Sequence, residues 1–153
     1  MPRTVSLVAV ASTLLSGCAS LSDANTQLTA PEEPLASGIR AAIWDDVQSN
    51  ALIGNGNDLL FLWANAAVDR TSHPQLHIRE LRCSSGSSSR TCKFALLREG
   101  GAATYYGETA PDKLACSAQF RRSGRNENWT IPRLPPVPGD AHSRITIECT
   151  PVT

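Results

Sequence analysis

The side chains in this chain with the chemistry to bind or react fall into four groups. His73 and His77 have i, i+4 spacing, which on a helix would set two imidazoles on one face as a metal pair. Pro74 lies between them and strand-like sequence follows, so no metal site is expected there. Gly54-Asn55-Gly56-Asn57-Asp58 touches on a phosphate or calcium loop, yet it lacks the third glycine of a dinucleotide fingerprint and the downstream Glu of a calcium loop. It reads better as a turn with a helix cap. Arg121, Arg122 and Arg125 crowd one turn beside Trp129, with Arg133 close behind, a set suited to phosphate or carboxylate. Tyr105 and Tyr106 lie between Gly100, Gly101 and Gly107, where exposed rings suit protein or glycan contact. G-x-S-x-G, H-E-x-x-H, S-x-x-K and P-loop patterns are all missing. A Ser, His and Asp set assembled from distant residues would still make a hydrolase, because triads are defined by geometry and not by spacing.

The elements that must position these groups divide the chain near Pro74. Residues 19–34 are polar, without apolar periodicity, and contain Pro31 and Pro34, which predicts a tether. From Leu35, Ile39, Ile43 and Val47 recur every four residues and predict an amphipathic helix, weakened at Gly38 and stopped by the Gly54–Asn57 segment. Asn57 is placed to cap a second helix through LLFLWANAAV, apolar nearly all round and therefore buried. Beyond Pro74 alternation takes over. Residues 76–83 and CKFALLRE form a predicted hairpin around the eight-residue serine-rich loop SSGSSSRT, and LACSAQFRR and ENWTIPR form a second. Residues 99–113 read as a long loop with a short strand at Thr104 to Tyr106. LPPVPG reads as extended polyproline before a last strand, RITIECT. The expected fold is α+β, two N-terminal helices packed on a four- or five-stranded antiparallel sheet.

The first 18 residues follow another logic. Arg3 is a short basic region, and TVSLVAVASTLLS is an uncharged apolar run of about thirteen residues, well short of the ~20 needed to span a bilayer. It ends in Leu15-Ser16-Gly17-Cys18, which resembles the bacterial lipoprotein signal, whose lipobox reads Leu, small residue, Gly or Ala, Cys. The resemblance implies cleavage before Cys18 and lipidation of that residue with three acyl chains. Each buried methylene contributes about 0.8 kcal/mol, so several chains give a lasting anchor. Ala19, in the place where Asp favours inner-membrane retention, points to the outer membrane facing the periplasm in a Gram-negative host. The expected organisation is a signal peptide at 1–17, lipidated Cys18 with a tether to residue 34, and one domain over 35–153.

With Cys18 committed to the anchor, Cys83, Cys92, Cys116 and Cys149 remain, and an even number in an exported chain predicts two disulfides. Cys116 is in phase with Leu114, Ala118 and Phe120, and Cys149 with Ile145 and Ile147. Leu81 is in phase with Cys83, and Cys92 with Phe94 and Leu96, which pairs Cys83 with Cys92 and Cys116 with Cys149. Without the signal the chain has 13 basic and 14 acidic side chains, no overall field for nucleic acid. The sequence therefore predicts an envelope binding module without cofactor or metal. Its expected partners are the membrane, through Cys18, and either another envelope protein or an anionic envelope component. An envelope hydrolase is the alternative from another class. A lysozyme-inhibitor-like lipoprotein shares the anchor and disulfides, but its barrel pattern of eight strands is not evident here.

Overall fold

The computed structural model describes residues 28–54, 56–66, 76–124 and 128–153. Two helices, α1 (Leu35–Ile53) and α2 (Asp58–Ala66), precede the strands. The buried stripe of α1 is Ala36, Ile39, Ala42, Ile43, Val47 and Asn50, the i, i+3, i+4 pattern of an amphipathic helix. It stops at Gly54, whose φ of 68° is the left-handed conformation that glycine adopts without steric cost, and the Gly54 N–H donates to Asn50 O. Gly38 serves packing: a Cβ there would lie 3.3 Å from Cδ1 of Trp129. Asn57 caps α2 as expected, its Oδ1 accepting the Leu60 N–H at 2.9 Å while its Nδ2 donates to Ile147 O. Residues 67–75, including His73 of the histidine pair, lie outside the described residues, as do residues 15–18 of the expected lipobox and Arg125.

The main sheet is antiparallel and runs β1 (Leu76–Cys83), β2 (Ser89–Arg98), β5 (Lys113–Arg122), β6 (Trp129–Thr130), with β7 (Glu148–Pro151) pairing β5 beside β6. This is the expected α+β class, with both helices packed on one face. Cys92, Phe94 and Leu96 of β2 and Leu114, Cys116, Ala118 and Phe120 of β5 point to that face and form the core with Ile39, Ile43, Leu60 and Trp63. Both disulfides join the expected partners. Cys83 lies directly opposite Cys92 and Cys116 opposite Cys149, with Cα separations of 4.0 and 4.1 Å. Among the described residues no helix is long and apolar enough to cross a membrane.

Several boundaries differ from the sequence reading, each for a local reason. In β1, Ile78 and Leu81 are both buried although three apart, because a bulge between Arg79 and Arg82, with Glu80 at φ 55°, resets the alternation. The serine-rich loop is shorter than eight residues, because Ser89, Arg90 and Thr91 pair with β5 at Arg121, Phe120 and Gln119. Residues 99–113 hold a second small sheet, β3 (Ala103–Tyr105) and β4 (Glu108–Ala110), joined by Tyr106 at φ 50° and Gly107 at φ 85°. That is a two-residue turn with both central residues left-handed. β6 stops after Thr130, two residues before Pro132, which has no N–H to continue a ladder. The last strand begins only at Glu148, although Ile145 and Ile147 are buried as the alternation requires. Upstream, Thr29 exchanges two backbone hydrogen bonds with Cys83, of 3.0 and 2.7 Å, so the last residues of the predicted tether lie along the end of β1.

Candidate functional site

Adjacent residues on a strand face opposite sides, and this separates the predicted arginine cluster. Arg122 follows the inward series Leu114, Cys116, Ala118, Phe120, while Arg121 follows Ser117 and Gln119 on the outer face. By the same alternation Arg90 precedes Cys92 and Phe94, so it lies on the inner face, opposite Phe120. Arg122 is opposite Trp129 of β6. Arg90, Arg122 and Trp129 thus converge where the start of α1 passes the end of the sheet. They line a cleft of about 390 Å³ together with Pro34, Leu35, Gly38, Ser87 and Asn128.

Among the described residues the cleft has no carboxylate in its lining; Glu127, next to Asn128, lies outside them. Its best-defined cation is Arg90, whose guanidinium carbon lies 5.8 Å from the centroid of the Trp129 ring, within cation–π range. Arg90 Nη1 donates to Ser84 O at 3.2 Å, and Ser84 Oγ in turn accepts the Thr91 N–H at 3.0 Å, which fixes the loop that carries Ser87. The buried Nε of Arg90 has no hydrogen-bond partner among the described residues. The first turn of α1 closes one side, with its partial positive charge. Outside the lining, Glu33 is engaged locally, bonding Arg40 at 2.8 Å and the Ser37 N–H at 3.0 Å. A guanidinium on an indole face, with a second arginine in the lining, suits an anion carried on a flat or ring-shaped body.

Arg121 belongs to a different depression of about 410 Å³ on the outer face, with a floor of Thr91, Ser117 and Gln119, a wall of Pro132 and Leu134, and the acidic Glu148. Arg133 also lines this depression, but its guanidinium is engaged from behind. It is bound to Asp46 of α1 at 2.7 and 3.2 Å beneath β6. Asp46 is 4% exposed, and burial pushes its carboxyl above the ordinary range, the Arg133 guanidinium pulling down and Asp45 adding to the rise. A small cavity of about 160 Å³ beside this pair is lined by Ala42, Asp45, Trp129, Thr130 and Ile131, so the pair holds α1 to β6. Arg98 is a second buried cation, stacked 5.4 Å from the Trp63 ring and donating to the Trp63 carbonyl. Burial lowers its pKa, with Asp112 opposing.

The predicted tyrosines lie at the opposite end of the sheet, on the hairpin that links β2 to β5. Tyr105 packs edge-on to Phe61 of α2 with centroids 6.1 Å apart, and Tyr106 stands 91% exposed against Tyr105. His77 pairs with Glu99 at 2.6 Å and joins no metal cluster among the described residues. The sequence reading missed Arg90 by leaving it in the serine-rich loop, whereas the two-residue period from Arg90 through Cys92 to Phe94 was present to be read. No family model, curated protein or solved structure matches this chain.

Proposed function

We propose that this chain is an envelope lipoprotein, anchored through Cys18, that acts as a binding module for an anionic envelope component. The observation that carries the reading is the cleft where Arg90 lies over Trp129 beside Arg122. The lipobox supplies the location, the two disulfides suit an exported chain, and the α+β fold differs from the eight-stranded barrel of the lysozyme-inhibitor type. Carboxylates and phosphates are the groups that a guanidinium recognises most strongly. The test compares binding of the full chain and its Arg90→Gln and Trp129→Ala variants to phospholipid, lipopolysaccharide and peptidoglycan fractions at two salt concentrations. Binding to one anionic fraction that falls with salt and with either variant supports the reading. Binding that neither salt nor variant changes contradicts it.

A further inference from the structure

We infer that the anion this cleft recognises is the headgroup phosphate of the membrane that holds the anchor, so that the domain docks with its β1–β2 turn toward the lipid. The inference rests on the lipoprotein reading of Cys18. Its structural basis is where the chain enters the fold. Thr29 is fixed to Cys83 by two backbone hydrogen bonds, and Cys83 opens the segment that runs through Ser84 and Ser87 to Arg90. The entry point and the cleft therefore share one loop. Ten residues separate Cys18 from Thr29, a path of at most about 40 Å. Tethering at that range raises the effective concentration of headgroups at the cleft without any new contact.

Charge is distributed accordingly. At the entry end, beside the Cys83–Cys92 disulfide, Arg82 and Lys93 are directly opposite each other and both exposed, with no ion pair among the described residues. Like charges in that arrangement cost stability, and an anionic surface facing them would repay it. Arg90 and Arg122 lie on the other face of the same end, beside the exposed Glu32 and Glu33, of which Glu33 is bound to Arg40. Arg90 to Arg98 spans about 27 Å of β2. At that far end Arg98 is buried on Trp63, Lys113 is bound to Glu80 at 2.7 Å, and the turn of β3 and β4 carries Glu108 and no cation. Trp129 adds an indole, a ring of the kind that settles at the headgroup level.

The test uses the acylated full chain, its lipidation verified by intact mass, reconstituted in phosphatidylcholine vesicles with and without phosphatidylglycerol. Amide hydrogen exchange is followed in residues 84–90, 128–130 and 103–110. Phosphatidylglycerol is expected to slow exchange at the first two segments, in a salt-sensitive way, and to leave 103–110 unchanged. Each neutralised cation, in Arg90→Gln or in the exposed pair Arg82→Gln/Lys93→Gln, is expected to weaken association about fivefold. The second variant lies outside the core, so its effect is independent of any folding defect in the first. Unchanged exchange in an acylated protein, or protection at 103–110 instead, overturns the inference and leaves the lipoprotein reading standing. Equal protection from free glycerol phosphate at the same phosphate concentration, in neutral vesicles, overturns it in favour of a soluble ligand. A mass without acyl chains overturns the lipoprotein reading and this inference with it.

Discussion

At one end of the sheet, Thr29 meets Cys83 across from a disulfide, Arg90 stacks on Trp129, and Arg82 and Lys93 stand side by side in solvent. At the other end the β3–β4 turn lifts Tyr106 into solvent over Tyr105 and Phe61, the exposed Leu52 and Ile53 end α1, and the nearby cations Arg98 and Lys113 are already engaged. The same scaffold therefore presents a cation–π pair and two juxtaposed exposed cations at one end and apolar rings at the other. An apolar end made of a few single side chains is ordinary for a protein surface, whereas juxtaposed like charges carry a cost that calls for a reason. The cationic end is accordingly the better candidate for recognition.

The largest effect should come from the covalent frame that holds these ends in register. On a chain-entropy basis, Cys116→Ala/Cys149→Ala should cost about 4 kcal/mol and Cys83→Ala/Cys92→Ala about 3 kcal/mol, read from urea unfolding. The second pair sharpens the contrast. Its removal should speed hydrogen exchange in residues 84–90 and leave 103–110 close to the native rate, since the far hairpin packs on α2 and not on the disulfide. Uniform acceleration would show that the two ends are not separable.

A smaller effect concerns Asp46, which ties α1 to Arg133 behind the cleft. Burial holds its folded-state pKa above the ordinary value of 3.8 despite Arg133. The folded state then binds the proton more tightly than the unfolded chain, so ionising Asp46 reduces stability as pH rises from 3.8 through the folded value. Relative to Asp46→Asn, the wild type should be most stable below that window, lose stability across it and stay level above it. Denaturant midpoints for both proteins at several pH values measure this. A wild-type advantage that grows with pH would mean that the Arg133 pair outweighs burial.

Gly38→Ala tests the cationic end alone. Alanine is favoured over glycine in a helix by about 1 kcal/mol, but the new methyl would press on Trp129 from 3.3 Å. Stability should change by less than 1 kcal/mol while anion binding falls, because the indole that carries Arg90 must shift. Tyr106→Asn tests the aromatic end. Asn-Gly is the preferred pair for a turn with two left-handed residues, so this substitution should stabilise the fold by about 1 kcal/mol and leave anion binding unchanged.

Much of the fold was legible because periodicity alone carries it. Ile39, Ile43 and Val47 mark α1, Asn57 caps α2 as its position suggested, and alternation in the segments around Cys83, Cys92, Cys116 and Cys149 gave both disulfide pairings. The bulge at Glu80 was hidden because alternation counts residues and a bulge adds one. The β3–β4 hairpin was hidden because Tyr106 occupies a backbone conformation where sequence rules look for Asn or Gly. At the site, proximity in sequence misled: Arg121 and Arg122 look like one patch, but successive strand residues face opposite sides. Arg133 looked like a further cation of that patch and is the partner of buried Asp46. Arg90 was passed over for its serine neighbours, although its phase with Cys92 placed it on the inner face.

The most direct measurement is an NMR titration of the full chain with glycerol phosphate, followed at the Trp129 indole N–H, the Arg90 Nε–H and the Gly38 amide. Saturable shifts at these three positions, lost in Arg90→Gln and absent from the amides of Tyr105 to Glu108, are the predicted result. Shifts confined to the tyrosine hairpin, or none at the cleft at any concentration, would contradict the assignment of recognition to the cationic end.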